Sequence, residues 1–525
     1  MDLRILYVYP FEYWGRDDFL VSLVRISNYL NSRKKELKGE IQEEYIDLRF
    51  ENLPFFCPEN IEQYREKLID VLKKIYERFE FNLVAISCFT SFNYINVVEI
   101  ACTLKKYVSS NCSIVVGGFH VSSCPEDFQP NNFPEYLYET WDRNYTPFDY
   151  LVREEGEIPF FKLVKNIMNG SYSITNQFSE NCTILEIENL DDLNELPIIN
   201  LDFFKKYSKV FNNNLNIDFS RGCLFRCKYC SNSTDKMKCN QTVRYKSIKK
   251  CIEELEVIRN IKWLSFKELY ISDPIFIPKK SLRKAFFELF EKLIEKYGKF
   301  PFKIIVFDRI ELCSNQDLEN YKKFDINSRI GLESCSKTML FRMGKLMGNN
   351  NDSILKSIDF YLEKTLKIIE ISNNLDLPIT YFYLTGLPGS DEDTIKESRD
   401  FFLEKKFDGK SLIEKYKVNL LFERYIALNG SEIYYTSEDL YGTKIHFKEW
   451  WKIFDKDQVY YSLLVEPSKN LSFKESIKLN SDYIKEILLK QREIGNPYYS
   501  FEDTIVLVER RNKMIDFYEN IIENK

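Results

Sequence analysis

The stretch Ser220-Arg-Gly-Cys223-Leu-Phe-Arg-Cys227-Lys-Tyr-Cys230 decides which fold we expect for this chain. Its three Cys follow the spacing CxxxCxxC, which gathers three thiols in one short loop. Thiolates are soft ligands that suit Zn²⁺ or an iron–sulfur cluster. A [4Fe–4S] cluster normally takes four Cys ligands, so a loop with three would leave one iron open to a small molecule.

With Tyr229 directly before the last Cys, this loop resembles the signature of the radical S-adenosylmethionine (SAM) enzymes. The resemblance implies that Cys223, Cys227 and Cys230 hold a [4Fe–4S] cluster. It also implies that the open iron chelates the amino and carboxylate groups of SAM. An electron from the cluster would then cleave SAM to methionine and a 5′-deoxyadenosyl radical, which abstracts hydrogen from a substrate.

A structural zinc site is the alternative, with Cys239 or Cys251 as the fourth ligand. Zinc motifs usually pair two Cys or Cys/His units. This chain has no second unit, and it has only two His, neither of them near the loop. The spacing therefore favours an iron–sulfur cluster.

The composition is that of a globular protein. The chain has 525 residues, enough for two to four domains, and 44% of them are hydrophobic, so disorder is not indicated. A net charge of −6 with dispersed Lys and Arg gives no reason to expect nucleic acid. No stretch reaches the ~18–20 uncharged apolar residues of a membrane span, and the first residues are too short an apolar run for a signal peptide. Thirteen scattered Cys are not a disulfide framework, so we expect a reducing cytoplasm.

Residues 1–155 alternate strand-like and helical patterns, which predicts a parallel α/β sheet of the Rossmann type. Such sheets bind ligands at the carboxyl ends of their strands. The pattern predicts helices over about 18–31 and 93–108, and strands at Ile5–Tyr9, Glu44–Leu48, Leu83–Ser87, Ser113–Val116 and Asp149–Val152.

Two motifs in this region resemble the cobalamin-binding domain that precedes many radical SAM domains. One is Ile114-Val-Val-Gly-Gly-Phe-His120, and the other is Asp149-Tyr-Leu-Val-Arg-Glu-Glu-Gly-Glu157, with Glu155 where that family usually has Gly. A bulky cofactor can approach the backbone closely at Gly, which has no side chain. The resemblance implies that cobalamin is bound by Ser87, Thr90, Gly117, Gly118 and His120.

Other interpretations of this region stay open. The Gly pair also suits an ordinary strand-to-helix turn, and His120 a structural loop position. The Asp-x-His-x-x-Gly motif that supplies an axial His to cobalt is absent, so cobalamin would bind base-off and without that ligand. Cys57, Cys88 and Cys124 are spaced as in methylthiotransferases with a second cluster, although a buried single Cys is the commoner explanation for each.

Residues 156–212 resemble the connector that leads into the radical SAM barrel, and residues 213–430 the partial (β/α)6 barrel itself. Catalytic residues of such barrels cluster at the carboxyl ends of the strands. Residues 431–525 lose the β/α alternation and predict a helical cap or substrate lid, with helices over about 472–492 and 500–522. The barrel strands are predicted at Leu215–Phe219, Glu268–Ser272, Lys303–Phe307, Ser328–Leu332 and Thr380–Leu384.

Polar residues follow three of these strands. Asp273 and Arg309 each end a strand, and Gly331-Leu-Glu333-Ser, with Met343-Gly-Lys345 downstream, resembles the family's Gly-x-Glu-Ser strand end and Met-x-Lys tail. The resemblance implies that Glu333 accepts hydrogen bonds from SAM and that Arg309 pairs with a carboxylate. Each could instead form a surface ion pair. Gly386-Leu-Pro-Gly389 resembles a turn that ends a later strand of the barrel.

Cys335 lies two residues beyond Glu333, so both side chains face the barrel interior if the strand continues that far. A thiol there could donate a hydrogen atom to a substrate radical, as in radical SAM epimerases. A small buried Cys is the simpler explanation.

Together these resemblances imply a cobalamin-dependent radical SAM enzyme, similar to the class B methyltransferases, that methylates an unactivated carbon or phosphorus. One SAM would methylate reduced cobalamin and a second would generate the radical. The substrate, a peptide or natural-product precursor, is not readable, and a low-potential electron donor such as flavodoxin is implied. A radical SAM enzyme that does not methylate, such as an epimerase without cobalamin, is one alternative, and a zinc- or cobalamin-binding regulatory protein is another.

Overall fold

The computed structural model describes residues 2–11, 18–172, 180–209, 214–233 and 242–523. The helices in the first part of the chain are α1 (Ser22–Ser32), α2 (Ile61–Phe79), α3 (Tyr94–Thr103), α4 (Phe119–Ser123) and α5 (Glu157–Met168). The strands are β1 (Leu3–Tyr9), β2 (Asp18–Leu20), β3 (Ile41–Asp47), β4 (Leu83–Ser87), β5 (Ser113–Gly117), β6 (Tyr150–Val152) and β7 (Thr183–Ile184).

Six of these strands form a parallel sheet in the order β3-β1-β4-β5-β6-β7. Both of its faces are covered, because α1 and α5 pack into the core on one side and α2 and α3 into the core on the other. This explains why every residue of β4 is buried and why all of them except the last, Ser87, are apolar. The predicted Rossmann-type sheet is confirmed.

The later elements alternate strands and helices. The strands are β8 (Asn214–Ile217), β9 (Ser220–Arg221), β10 (Arg244–Tyr245), β11 (Glu268–Ile271), β12 (Lys303–Asp308), β13 (Ile326–Glu333), β14 (Ile379–Thr385), β15 (Lys406–Phe407), β16 (Lys410–Ser411), β17 (Asn419–Arg424), β18 (Lys444–Ile445) and β19 (Val465–Glu466). The helices are α6 (Ile248–Asn260), α7 (Lys280–Tyr297), α8 (Asn315–Phe324), α9 (Lys337–Arg342), α10 (Asn351–Asn374), α11 (Glu392–Leu403), α12 (Leu412–Lys415), α13 (Glu432–Tyr441), α14 (Gln458–Leu463), α15 (Phe473–Glu493) and α16 (Phe501–Tyr518).

The second sheet has the order β17-β14-β13-β12-β11-β8-β2, with every pair parallel. Six of its strands, from β8 to β17, come after residue 213 and lie in the sheet in chain order, as a six-stranded barrel sheet requires. The sequence predicts the first five of these strands but not β17. In β13, fully buried residues alternate with half-buried ones, so one face meets the helices and the other a cavity.

The seventh strand corrects a prediction. The helix expected from about residue 18 begins only at Ser22, because Asp18–Leu20 forms β2 and pairs with Asn214–Asn216 of β8. The apolar spacing of the helix is real, but the backbone hydrogen bonds of a distant strand decide the conformation of its first three residues.

The C-terminal region contacts both sheets. Trp450 and Trp451 pack into the core beside the first sheet, where Trp450 meets the Phe92 ring at 4.5 Å. Tyr483 of α15 belongs to the core that includes the barrel strands. Within the described ranges, no helix has both the length and the apolarity needed to cross a membrane. The domain boundaries at residues 155, 212 and 430 stay predictions.

Candidate functional site

One cavity of about 790 Å³ lies between the carboxyl ends of the first sheet and the interior of the second. The first sheet contributes its loops after β4, β5 and β6, and α1 closes one side. The barrel contributes the inward side chains of β8, β11, β12, β13 and β14 and the start of the Cys loop. The lining residues used below are Ser87, Gly117, Gly118, Glu155, Glu157, Asn216, Asp218, Arg221, Tyr270, Ser272, Phe307, Arg329 and Phe382.

The Gly pair borders the cavity for a steric reason. Gly118 has a φ of +128°, and a Cβ there would overlap the backbone carbonyl of Cys88. At Gly117 a Cβ would lie 3.3 Å from the Cβ of Val152. Ser87 lines the same wall. Gly117 and Gly118 thus line the cavity, and the absence of their side chains lets the loops after β4, β5 and β6 pack closely together.

Two other residues predicted to contact cobalamin point elsewhere. Thr90 caps a short helical turn, and its hydroxyl donates to Asn93 Oδ1 at 3.0 Å. His120 is fully buried, with Nδ1 2.9 Å from Ser91 Oγ and Nε2 3.3 Å from Asp127 Oδ2. Neither side chain lines the cavity, so the structure does not bring them to the predicted site.

The loop with the three Cys begins at a second constrained Gly. Gly222 has a φ of +92°, and a Cβ there would overlap the carbonyl oxygen of Thr242. Cys227 is buried, whereas Cys223 and Cys230 are half-buried. Burial, reinforced by the neighbouring Cys227, raises the pKa of the Cys230 thiol to about 12.

The three thiols are electrostatic neighbours: burial raises the pKa of Cys223 and of Cys230, and Cys227 adds to both shifts. In the described part of the chain, however, no three Cys, His, Asp or Glu side chains converge as a ready-made metal site. Cys239, the suggested fourth zinc ligand, lies outside the described residues. Cys251 is buried within α6.

Arg309 lies directly against the Cys loop. Its Nη1 is 3.2 Å from Cys227 Sγ, and its guanidinium lies 3.6 Å from the Phe225 ring centroid. Glu311 Oε1 pairs with Nη2 at 2.6 Å. Burial works against the charge of Arg309, but Glu311 and Cys227 outweigh it and raise the pKa of the guanidinium. A permanent positive charge therefore lies against the Cys227 sulfur.

Glu333 and Tyr229 meet at a third residue, Lys345. Lys345 is buried, and its Nζ is 2.9 Å from Gly331 O, 3.4 Å from Glu333 Oε1 and 3.3 Å from Tyr229 Oη. Glu333 has a φ of +65°, at an irregularity in the pairing of β13 with β14. Such backbone strain is often kept at functional sites. Lys345 is the Lys of the Met-x-Lys motif, and the sequence does not predict it as a site residue.

Asp273 supports the Cys loop from behind. Its carboxylate accepts hydrogen bonds from Phe219 N at 2.7 Å, Ser220 N at 3.0 Å and Ser220 Oγ at 2.7 Å. Burial raises the pKa of Asp273 to about 7. The side chain does not line the cavity, so its position is that of an anchor for the strand leading to Cys223.

Cys335 does not share the inward face of Glu333. Strand β13 ends at Glu333, so the alternation of side chains does not extend to Cys335. The Cys335 thiol is 3% exposed and lies near the Tyr383 hydroxyl, in the main core. Tyr383 is next to Phe382, which lines the cavity, and so points to the opposite side of β14. The condition attached to the hydrogen-donor hypothesis, a strand that continues as far as Cys335, is not met.

A buried network of charges, absent from the sequence predictions, joins the first sheet to the Cys loop. Arg221 pairs with Glu157 at 2.7 Å, with Glu155 at 3.2 Å and with Asp218 at 3.1 Å. Arg244 also binds Glu155. This accounts for Glu155 at a position where Gly is usual. The network contains four cations and four carboxylates, none more than 20% exposed: Arg25, Arg221, Arg244, Lys246, Glu155, Glu157, Asp218 and Glu254.

Comparison with curated proteins finds two distant relatives. The chain is 28% identical over 222 residues, 38% of its length, to uncharacterized methyltransferase PH0819 of Pyrococcus horikoshii. It is 22% identical over 268 residues, 50% of its length, to uncharacterized methyltransferase sll1242 of Synechocystis sp.. Each match covers 43% of the relative, so the chain spans less than half the length of the curated relatives it matches. No family model matches the chain.

Comparison with solved structures finds two that share this architecture. One is the radical SAM methyltransferase TsrM of Kitasatospora setae with cobalamin and a [4Fe–4S] cluster bound, at 13% identity and a TM-score of 0.57, covering 83% of this chain and 77% of TsrM. The other is the cobalamin-dependent SAM radical enzyme OxsB, at 16% identity and a TM-score of 0.57, covering 99% of this chain and 70% of OxsB. The resemblance seen in the sequence is thereby confirmed at the level of the fold, which is that of the cobalamin-dependent radical SAM enzymes.

Proposed function

We propose that this chain is a radical SAM enzyme that uses cobalamin to methylate an unactivated carbon or phosphorus centre. The observation that carries the proposal is the shared cavity, where bare backbone at Gly117 and Gly118 faces the strand that leads into the three-Cys loop. TsrM, which shares the fold, binds both cofactors that such a reaction needs.

The residues at each end of the cavity fit these groups. Cys223, Cys227 and Cys230 would hold a [4Fe–4S] cluster, because they are neighbouring thiols with a guanidinium against one sulfur. Ser87, Gly117 and Gly118 would border cobalamin. When bound, the cluster and SAM supply a 5′-deoxyadenosyl radical, and cobalamin supplies the methyl group.

The chain's own residues then orient the reactants. Lys345 holds the Glu333 carboxylate beside the Cys loop, where it would accept hydrogen bonds from the amino or ribose hydroxyl groups of SAM. Arg309 places its positive charge against the Cys227 sulfur. Asp273 holds the strand that carries the loop. An external low-potential electron donor is needed, with flavodoxin as our candidate, and the cytoplasm is the compartment in which such a cluster survives.

The first test is the metal content after anaerobic reconstitution. We expect about four iron and four sulfide per chain, as a [4Fe–4S] cluster requires, and their loss in the Cys223→Ala/Cys227→Ala/Cys230→Ala triple variant. A protein that takes up only zinc would overturn the proposal.

The second test is cobalamin binding, followed by its visible spectrum. Gly118→Ala should weaken binding, because its Cβ forces apart the loops that border the cavity. Gly298→Ala is the matched control, since Gly298 also has a positive φ but faces open space. Equal binding by the two variants would contradict the assignment of this wall. Retained iron in Gly118→Ala would show that the barrel is intact.

The products separate methylation from other radical chemistry. With SAM, reductant, cobalamin and a substrate, methylation predicts both 5′-deoxyadenosine and S-adenosylhomocysteine. Deoxyadenosine alone, independent of cobalamin, would instead indicate a radical SAM enzyme that does not methylate, such as an epimerase.

A further inference from the structure

The barrel half of the cavity is walled by aromatic rings. Phe307 of β12 and Phe382 of β14 lie with their ring centroids 6.3 Å apart and their planes 19° from parallel. The Tyr270 ring of β11 lies 6.3 Å from that of Phe307. All three line the cavity. Their faces form an apolar surface suited to a flat group.

A guanidinium stands at this surface. Arg329 Nη2 donates to Tyr270 Oη at 2.6 Å, and Tyr270 in turn donates to Glu268 Oε2 at 2.6 Å. These bonds hold the guanidinium in place, while the side chain remains 27% exposed to the cavity. Its ion pair with Glu268 is long, at 4.0 Å.

The other cavity-lining Arg side chains are already neutralised. Arg25 pairs with Glu254 at 2.6 Å, and Arg221 pairs with Glu157 at 2.7 Å. Of the Arg side chains that line the described cavity, Arg329 therefore has the weakest ion pair. Its remaining N–H groups can bind a carboxylate, the acceptor that the planar guanidinium fork matches best.

A second donor supports the same ligand chemistry. Asn216 Oδ1 accepts a hydrogen bond from Ser272 Oγ at 2.9 Å, which fixes the amide. Its Nδ2 is buried and has no acceptor among the described residues, although Asn216 lines the cavity. An unsatisfied buried donor destabilises the folded protein. An acceptor atom on a ligand would satisfy it.

We propose that the barrel interior binds a substrate with a carboxylate and a flat apolar body, an inference that rests on the proposed function. The carboxylate is held by Arg329 and the Asn216 amide, and the flat group packs against Phe307 and Phe382. This fixes the substrate class, organic carboxylates with a planar ring system, and assigns Arg329 and Asn216 as residues that determine specificity.

The test uses 2-naphthoate as the probe and neutral 2-naphthamide as its matched control, titrated calorimetrically into the full-length protein. We expect 2-naphthoate to bind, and Arg329→Met to weaken it by about 10- to 100-fold, the value of a charged hydrogen bond. Binding of 2-naphthamide should change by less than about 3-fold, because no charge pair is lost. Asn216→Leu should weaken both probes.

Two further variants guard the interpretation. Arg329→Lys keeps the charge but loses the fork, so it should fall between wild type and Arg329→Met. Arg259→Met is the control for losing an Arg, because Arg259 contacts backbone carbonyls and the Phe300 ring outside the cavity, and it should bind 2-naphthoate like wild type.

Two results would overturn the inference: no binding of 2-naphthoate at millimolar concentration, or equal binding by wild type and Arg329→Met. Failure of the proposed function is measured separately, as absence of iron, sulfide and cobalamin in the reconstituted wild-type protein. A protein that holds both cofactors but ignores the carboxylate refutes only this inference.

Discussion

Replacing Arg221 by Met removes the central cation of the buried network without changing the length of the side chain much. In the native protein Arg221 makes two contacts with Glu157, at 2.7 and 3.2 Å, and single contacts with Glu155 and Asp218. Arg244 remains to neutralise Glu155, and Lys246 and Arg25 remain for Asp218. Glu157, 5% exposed, is the carboxylate left without its cation.

Removing one partner of a buried ion pair typically costs ~3–5 kcal/mol, because the other charge stays buried alone. Since two of the three carboxylates keep a cation, we expect the lower end, about 3 kcal/mol. Lys284→Met is the control, because its pair with Glu288 spans 3.9 Å between side chains that are 81% and 62% exposed. Such surface pairs contribute about 0–1 kcal/mol.

The double variant Arg221→Met/Glu157→Met should be more stable than Arg221→Met, because it removes the orphaned charge as well. Urea unfolding, followed by circular dichroism and Trp fluorescence, measures five proteins: wild type, Lys284→Met, Arg221→Met, Glu157→Met and the double variant. A double variant that loses the sum of both single losses would refute the reasoning, as would an Arg221→Met protein within about 1 kcal/mol of wild type.

The stability contributed by the Arg221–Glu157 pair should change with pH in one direction. Burial opposes ionisation of Glu157, but Arg221 outweighs it and keeps the pKa of the carboxyl below its ordinary value. The stability from this pair is therefore present above the unfolded pKa and is lost as pH falls through the folded one. Without Arg221, burial raises the pKa of Glu157, so the deficit of Arg221→Met should shrink between pH 7 and pH 5 as that carboxyl binds a proton.

Three further outcomes are expected. Burial raises the pKa of Asp273 from 3.8 to about 7, so over this interval the folded protein holds a proton that the unfolded chain releases, and wild-type stability should fall as pH rises. Asp273→Asn should remove this part of the pH dependence of the urea midpoint. An unchanged pH dependence in Asp273→Asn would contradict this role of Asp273. Gly222→Ala should lower the free energy of unfolding by at least about 1–2 kcal/mol, and it should also lower the iron content, because its Cβ overlaps Thr242 O. A normal iron content would contradict the close packing of the Cys loop at Gly222. Cys335→Ala should leave product and solvent deuterium uptake unchanged, since Cys335 faces the core; lost deuterium uptake would restore the hydrogen-donor hypothesis.

Local patterns were enough to predict the elements that lie in the middle of each sheet. The predicted strand Leu83–Ser87 matches β4 residue for residue, and the predicted strand Glu268–Ser272 matches β11 to within one residue. Buried parallel strands and amphipathic helices carry their periodicity in their own sequence. The spacing of the three Cys was equally informative, because one short loop must bring them together.

The sequence did not predict features whose conformation depends on residues far along the chain. Strand β2 has three residues, too few to show alternation, and its conformation comes from β8 nearly two hundred residues away. The orientation of Cys335 depends on where β13 ends, at the strained Glu333. The orientation of His120 depends on Asp127 and on the C-terminal region that packs there. None of these partners can be read from a local pattern.

Strand β2 also determines whether the two sheets can be separated from each other. The chain leaves the first sheet after β1, adds Asp18–Leu20 to the edge of the barrel sheet, and returns to the first sheet at β3. A fragment beginning at residue 213 would lack that edge strand and would expose the unpaired backbone groups of β8 to other chains. Exchanging the first sheet between two proteins of this fold therefore requires a barrel that matches the incoming β2, so the two sheets form one structural unit.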